Sequence, residues 1–146
     1  MKKEAIRLTK EIEFDAAHRL SFHKGKCKNL HGHTWKVELD IFANLIENLI
    51  LDFGDIKSII LDNFDHKVII WEKDKLLLDF FTSAEELDAV RVPREPTAEN
   101  LAIMITELIK NSLVEKYGKK LGSYAITTRL FESKTSSAEY YLEVTE

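Results

Sequence analysis

Two long segments near the start of the chain alternate between apolar and polar residues, and this pattern constrains the fold more than any other feature of the sequence. The first segment runs from about Ala5 to His18, with Lys10 as its one exception, and the second runs from about His31 to Phe42. Successive side chains of a β-strand point to opposite faces of the sheet. Each segment is therefore predicted to be a strand with one buried face.

The rest of the chain predicts two main helices and two more strands. One helix is expected over about 54–63, and a longer one after Pro96, with Thr97 as its N-cap and Gly118 as its stop signal. The later strands are expected over about 123–132 and 137–145, joined by a tight turn at 134–136. Two hairpins separated by helices favour an α+β fold, in which a four-stranded antiparallel sheet carries both helices on one face.

The stretch from 67 to 95 is interpreted as an insert between the two helices, so that the element order is ββααββ. Within it, residues 68–71 and 75–81 are predicted to form a hairpin around 72–74. Ser83 and Glu86 have the capping-box spacing of a short helix. The sequence has no repeat and no flexible linker, so a chain of 146 residues is predicted to form one domain over 1–146.

Composition narrows the classes of function. A formal net charge of −4 supplies no basic field for nucleic acid. No apolar run approaches the ~20 residues that span a bilayer, and the amino terminus, Met-Lys-Lys-Glu, lacks the apolar core of a signal peptide. The single cysteine cannot form an internal disulfide. We therefore expect a cytoplasmic protein with neither a nucleic-acid partner nor a membrane partner.

Three histidines fall on the apolar faces of the first two strands, at the strand ends. His18 has the phase of the buried positions of the first strand, and His31 and His33 have that of the second. Burying such groups unpaired costs about 1–3 kcal/mol each. A lone buried histidine favours a purely structural explanation, whereas three in one phase favour a bound metal. Three imidazoles with a fourth position open are typical of catalytic zinc.

Glu132 is a carboxylate on another apolar face, since it shares the phase of Tyr124, Ile126 and Leu130. One explanation is that a lysine side chain forms an ion pair with this carboxylate. Alternatively, its two oxygens can accept hydrogen bonds from the N–H groups of an aminopyrimidine ring.

Cys27 and the Asp65–His66 pair are candidates for acid–base chemistry. Cys27 lies between two lysines and four residues before His31, and nearby positive charge favours a thiolate. Asp65–His66 closes the first helix, and a carboxylate that orients a histidine is common in general acid–base catalysis. Each has a simpler explanation, as a small loop residue and as polar residues at a helix end. His23, in the same loop, has no comparable phase and is assigned no role.

Six segments together resemble the 6-pyruvoyltetrahydropterin synthase family, which includes the 6-carboxytetrahydropterin synthases. They occur in the family's order and span most of the chain: Phe14-Asp-Ala-Ala-His-Arg-Leu, Cys27-Lys-Asn-Leu-His-Gly-His-Thr, Leu51-Asp-Phe-Gly-Asp-Ile-Lys, Phe64-Asp-His-Lys, Pro96-Thr-Ala-Glu-Asn-Leu-Ala and Leu130-Phe-Glu. The insert at 67–95 is longer than in compact members of the family.

The resemblance implies a tunnelling fold, in which subunits pool their sheets into a barrel. It implies a homohexamer built from two trimers, with active sites between subunits. By position, it assigns roles to nine residues: zinc ligands His18, His31 and His33; acid–base residues Cys27, Asp65 and His66; and pterin contacts Glu132, Thr97 and Glu99.

The resemblance also implies a substrate, a dihydropterin with a phosphorylated side chain. Three residues separate Cys27 from His31, which is similar to the subgroup that makes 6-carboxytetrahydropterin for queuosine and other deazapurines. The expected reaction converts 7,8-dihydroneopterin triphosphate to that product with release of acetaldehyde and triphosphate. Three alternatives remain open: a 6-pyruvoyl product, a zinc-dependent hydrolase, and a non-catalytic assembly module stabilised by zinc.

Overall fold

The computed structural model describes residues 4–146, and it confirms the two long strands. β1 (Ile6–His18) and β2 (His31–Ala43) pair antiparallel along their whole length, from Ile6 opposite Ala43 to His18 opposite His31. The elements that follow are α1 (Phe53–Phe64), β3 (Lys67–Trp71), α2 (Lys75–Thr82), β4 (Ala89–Val92), α3 (Ala98–Tyr117), β5 (Tyr124–Ser133) and β6 (Ser136–Val144). Residues 1–3, part of the amino terminus that argued against a signal peptide, lie outside the described residues.

The helix boundaries follow the predicted capping signals. The Thr97 side chain accepts a hydrogen bond from the backbone N–H of Asn100 at 3.1 Å, and Gly118 ends α3 with a φ of 53°, a conformation that favours glycine. α1 begins one residue earlier than expected, because the Asp52 side chain accepts from the backbone N–H groups of Gly54 and Asp55. Both main helices are therefore confirmed.

The sheet is larger than predicted. Its six strands, within residues 4–146, lie in the order β4-β3-β1-β2-β5-β6. The four predicted strands are antiparallel neighbours, but β3 runs parallel to β1 and β4 runs parallel to β3. The expected four-stranded antiparallel sheet is therefore wrong, because the insert extends it into a mixed sheet. Ile69 and Ile70, both buried, show why β3 belongs in a sheet interior.

The insert also contains a third helix where a hairpin was predicted. Residues 68–71 are a strand as expected, but 75–81 lie in α2, whose N-cap is Asp74. The Asp74 side chain accepts from the backbone N–H of Leu77, and Leu77 is the buried side chain of this helix. The predicted helix start at Ser83 is also wrong, since Ser83 is the C-cap of α2.

The apolar core lies on the face of the sheet that α1 and α3 cover. Trp35, Val37, Leu39 and Ile41 are fully buried there. The opposite face carries charged pairs, such as Arg7 with Asp40 at 2.7 Å and others along β2 and β5. Among the described residues, no helix has the length and apolar character needed to cross a bilayer. The two faces of this sheet therefore offer different chemistry to any site built on them.

Candidate metal centre and active site

The three histidines that share a phase in the sequence converge in space. The register places His18 directly opposite His31, and Ala16 opposite His33, so all three rings leave the same face of the sheet. One ring nitrogen from each of them lies within 4.8 Å of the other two. The ring centroids are 4.7–5.2 Å apart. We call His18, His31 and His33 the histidine triad.

Backbone carbonyls orient two rings of the triad. His18 Nδ1 lies 2.7 Å from the carbonyl oxygen of Pro96, and His31 Nδ1 lies 2.7 Å from that of Asn29. A carbonyl can only accept, so Nδ1 donates in both cases and Nε2 keeps its lone pair. Metal-binding histidines are commonly held in this way, because the second hydrogen bond fixes the tautomer and the ring orientation.

Two nitrogens of the triad have no partner within the protein. Among the described residues, the buried side-chain atoms without a hydrogen bond are Nε2 of His18 and Nε2 of His33. An unpaired buried polar atom is costly, and two beside each other call for a common ligand. Neutral imidazole nitrogens at this spacing fit a tetrahedral zinc ion with its fourth position open. The three imidazole nitrogens are therefore suitable ligands for a zinc ion.

The ring of Trp35 closes the inner side of the triad. Trp35 is fully buried, and its ring centroid lies 5.0 Å from that of His18 and 5.2 Å from that of His33. Its indole N–H donates to the carbonyl of Ala16 at 3.2 Å, which fixes the ring against β1. Trp35 thus separates the triad from the core, and the exposed part of the His33 side chain, 22%, marks the side from which a ligand can approach.

We expect the metal-free protein to lose stability as the pH falls below about 6.5. Burial lowers the pKa of His18 and of His33 from the ordinary value of 6.5. The unfolded chain then binds more protons than the folded one below that value, so the stability present above pH 6.5 decreases as the pH falls towards the folded pKa values. The free energy of unfolding in urea with a chelator, measured at pH 7.5 and 5.5, checks this.

The matched variant for that measurement is His33→Gln, in which the decrease between the two pH values should be smaller. Both pH values lie above the range in which carboxylates usually titrate, so the comparison isolates the histidines. A free energy of unfolding that does not change between pH 7.5 and 5.5 would contradict the expectation.

Glu132 faces the triad from β5. Its carboxylate oxygens lie 3.9 Å from Nε2 of His18 and 3.6 Å from Nε2 of His33. These distances are too long for hydrogen bonds. Because burial favours the neutral form of both imidazoles, the contacts are not salt bridges either. The carboxylate is 30% exposed, so one side of it remains open to a ligand.

A cavity of about 330 Å³ adjoins Glu132, and its wall includes the other two residues expected to contact a pterin. Thr97, the N-cap of α3, and Glu99, in its first turn, line it together with Glu132. Leu20 and the exposed ring of Phe22 supply apolar surface. The structure therefore brings together Glu132, Thr97 and Glu99 beside the triad, in a space with both polar and apolar walls.

Cys27 lies in a short 3-10 turn, Lys26–Lys28, in the loop that joins β1 to β2. Its carbonyl accepts a hydrogen bond from the backbone N–H of Leu20 at 2.8 Å, two residues after His18. The thiol is free and partly exposed. The loop is thus closed across its base, and it holds Cys27 at the same end of the strands as the triad.

Asp65 and His66 lie at the turn from α1 into β3. His66 Nδ1 is 3.0 Å from the Asp65 carboxylate, and the His66 side chain is 78% exposed. The backbone N–H of Asp15, and after it the His66 ring, lower the pKa of the Asp65 carboxyl. His66 has a φ of 58°, a conformation that is uncommon outside glycine. The pair is therefore a hydrogen-bonded, accessible acid–base unit.

This pair lies on the opposite face of the sheet from the triad. Ligand atoms of Asp15, Asp65 and His66 lie within 4.8 Å of one another. The Asp15 carboxylate accepts from the Thr34 hydroxyl at 2.6 Å, which places it on the face that Ala16 and His18 do not share. No local pattern of residues indicates that Asp65–His66 and the triad lie on opposite faces within one chain.

Sequence reasoning also missed the residues that support the site. Asp15, which holds the Asp65–His66 turn, sits at an ordinary polar position of β1. The carbonyls of Pro96 and Asn29 act through the backbone and leave no side-chain signal. The alternation of β2 did place Trp35 on the buried face, but only the register between β1 and β2 shows that it contacts the triad.

Comparison with known sequences agrees with this architecture. The family model of 6-pyruvoyl tetrahydropterin synthase matches residues 7–143. A 6-carboxy-5,6,7,8-tetrahydropterin synthase of Haemophilus influenzae is 35% identical over 146 aligned residues, which cover 92% of this chain and 98% of that protein. One of Rickettsia typhi is 34% identical over 140 residues, covering 92% and 99%.

Solved structures share the fold. The 6-pyruvoyltetrahydropterin synthase of Plasmodium vivax, in a variant with a changed catalytic residue, superposes with a TM-score of 0.71 at 16% identity and covers 97% of this chain and all of that one. An uncharacterized protein of Wolinella succinogenes gives a TM-score of 0.69 at 23% identity, covering 95% and 99%. Sequence and fold together place the chain in the 6-pyruvoyl tetrahydropterin synthase family, a family of pterin synthases.

Proposed function

We propose that the protein is a zinc-dependent lyase that converts 7,8-dihydroneopterin triphosphate and water into 6-carboxy-5,6,7,8-tetrahydropterin, acetaldehyde and triphosphate. The observation that carries the proposal is the position of Glu132. It faces the two unpaired nitrogens of the triad and also lines the adjoining cavity with Thr97 and Glu99. A ring held by Glu132 therefore presents its side chain to a metal held by the triad.

The product assignment is supported by the relatives. Several proteins that are 33–35% identical over most of this chain are named 6-carboxy-5,6,7,8-tetrahydropterin synthases. Such a product suits the biosynthesis of queuosine and related deazapurines. The lone cysteine suits a reducing compartment, and we place the reaction in the cytoplasm.

Each residue of the site has a proposed task. When bound, zinc polarises the hydroxyl-bearing side chain of the substrate as a Lewis acid and makes the adjacent C–H bonds more acidic. Glu132 accepts hydrogen bonds from the aminopyrimidine edge, with Thr97 and Glu99 as further contacts, and so fixes the ring. The Cys27 thiolate takes a proton from the side chain, and Asp65–His66 transfers protons to and from it.

The separation of the two faces supports an active site shared between copies of the chain. Asp65–His66 lies across the sheet from the triad of its own chain, and the His66 ring is largely exposed. A neighbouring copy that packs against this face can receive the pair beside its own Cys27. We therefore propose that each site combines two chains, within the homohexamer of two trimers that the family resemblance implies.

The test is to incubate zinc-loaded protein with 7,8-dihydroneopterin triphosphate and to identify the products by mass spectrometry. The proposal predicts 6-carboxytetrahydropterin with one equivalent each of acetaldehyde and triphosphate, and no product from protein stripped of metal. The control is the same incubation with the metal-free protein after zinc is restored. Absence of turnover from zinc-loaded, assembled protein would contradict the proposal.

The alternatives separate in the same assay. A 6-pyruvoyl product, with triphosphate but without acetaldehyde, assigns elimination alone, because the carboxy product requires water to cleave the bond between two side-chain carbons. Release of phosphate with an intact side chain assigns a hydrolase. A non-catalytic assembly module leaves the substrate unchanged in every incubation.

A further inference from the structure

An arginine joins the insert to the loop that carries Cys27. Arg19, directly after His18, donates from Nε and Nη2 to the two carboxylate oxygens of Asp74, each at 2.7 Å. Its remaining terminal nitrogen, Nη1, donates to the carbonyl of Lys28 at 3.2 Å. The guanidinium thus joins Asp74, at the start of α2, to the residue that follows Cys27.

The arginine pair is more than an exposed surface contact. The Arg19 side chain is 16% exposed and that of Asp74 is 4% exposed. Two parallel N–H···O bonds give this kind of pair a defined geometry that one lysine ammonium cannot reproduce. Burial alone would raise the pKa of the Asp74 carboxyl, but the Arg19 guanidinium and the backbone N–H of Leu77 lower it.

A second carboxylate, near the end of the insert, holds the next part of the same loop. Glu95 accepts hydrogen bonds from both the hydroxyl and the backbone N–H of Ser21. The Glu95 backbone is itself fixed, because its carbonyl accepts from the Asn100 side chain at 3.0 Å. Asp74 and Glu95 therefore hold Arg19 and Ser21, on either side of Leu20, whose N–H closes the loop onto the Cys27 carbonyl.

From these contacts we infer that the 67–95 insert fastens the Cys27 loop, and that Arg19, held by Asp74, is a positioning residue for the Cys27 thiol. This role rests on the proposed catalytic function of Cys27. It assigns a purpose to α2 that the sequence did not suggest. A displacement of about 1 Å at a reacting group can reduce turnover about 100-fold. A loop that must hold a thiol against a substrate is therefore expected to be fixed at several points, as this one is by Asp74, by Glu95 and by the hydrogen bond from Leu20.

The decisive variant is Asp74→Asn. Asparagine caps a helix about as well as aspartate, so α2 keeps its N-cap while Arg19 loses its anionic partner. We expect kcat to fall about 10-fold to 100-fold with little change in KM and unchanged zinc content. We also expect alkylation of the Cys27 thiol by iodoacetamide to become severalfold faster, because a loosened loop exposes a partly buried sulfur.

Arg19→Lys tests the same contact from its other side. Lysine keeps the charge but cannot bond both Asp74 oxygens and the Lys28 carbonyl at once, so it should reproduce the Asp74→Asn result. The double variant should be no worse than either single one, since both remove one interaction. The matched control is Arg129→Lys with Glu139→Gln, an exposed pair at 3.0 Å on β5 and β6, which should leave kcat and the alkylation rate unchanged.

Wild-type kcat and alkylation rate in both single variants would overturn the inference. A loss of kcat matched by an equal loss of bound zinc would also overturn it, because the pair would then support the triad and not the thiol. The alkylation rate needs no substrate. If the wild-type protein fails to turn over the dihydroneopterin, the proposed function fails, while the alkylation rates still decide whether Asp74 and Arg19 hold the loop.

Discussion

Replacing Cys27 by alanine is expected to lower kcat for 7,8-dihydroneopterin triphosphate by about 100-fold to 10,000-fold, the usual contribution of a general acid–base group, while zinc remains bound. The reason is structural. The proposed metal ligands are the three histidines of the triad, and Cys27 lies outside that group, in the loop between β1 and β2. The measurement is kcat at saturating substrate, with zinc content determined by elemental analysis on the same sample.

Cys27→Ser is the matched control for that variant. Serine has nearly the same size as cysteine and can form hydrogen bonds, but its hydroxyl does not ionise at neutral pH. A loss common to both variants is therefore due to the missing thiolate and not to a change in the loop. Full activity of the alanine variant would eliminate Cys27 as a proton acceptor, and loss of zinc from it would add the cysteine to the ligands of the metal.

Replacing His33 by alanine is expected to weaken zinc binding by more than about 100-fold and to abolish turnover. Substitutions in the outer shell of a zinc site already cost about 10-fold to 100-fold, so losing a direct ligand should cost more. The same variant should lower the free energy of unfolding of the metal-free protein by less than the loss of a fully buried histidine, because the His33 side chain is 22% exposed and its Nε2 makes no hydrogen bond there. Competition with a chelator gives the affinity, and urea unfolding in the chelator gives the stability.

His18→Ala provides the contrast. His18 is 1% exposed, contacts the Trp35 ring and donates to the Pro96 carbonyl. Its removal should therefore abolish zinc binding and also lower the free energy of unfolding of the metal-free protein by about 2 kcal/mol or more. Wild-type zinc affinity in His33→Ala would remove His33 from the proposed ligands, and equal stability of the two metal-free variants would contradict the difference in their surroundings.

The part of the site that could be predicted from the sequence follows from the period of a β-strand. Alternation along β1 and β2 is long enough to fix the phase, and the phase alone puts His18, His31 and His33 on the buried face. The same reasoning placed Glu132 beside them, since β5 alternates in the same way. These residues come together because β1, β2 and β5, which carry them, are antiparallel neighbours in the sheet.

Apart from the strand at 68–71, the elements of the insert could not be predicted, because their local signals are ambiguous. Residues 76–81 are apolar apart from Asp79, and so short a segment suits either a strand or one turn and a half of helix. Asp74, as an N-cap, was the available signal for α2, and it was assigned to a turn instead. β4 has four residues at the edge of the sheet beside β3, and so short a segment has too few residues for its alternation to mark it as a strand.

The position of Asp65–His66 depends on contacts that no local pattern encodes. Its face is set by pairing with Asp15, fifty residues earlier, at the edge of β1 where β3 joins. The sequence predicted a catalytic pair at the end of α1. The face of the sheet on which the pair lies depends on the pairing of β3 with β1, which the sequence did not predict.

The separation of the two proposed catalytic groups onto opposite faces has a genetic consequence. Under the proposed shared site, a chain damaged at Cys27 still offers an intact Asp65–His66 pair to its neighbour, and a chain damaged at His66 still offers an intact thiol and triad. Two different loss-of-function alleles can then rescue each other within one cell, whereas two copies of the same allele cannot. Selection therefore acts on the pair of chains that forms each proposed site, and the severity of one allele depends on which other allele accompanies it.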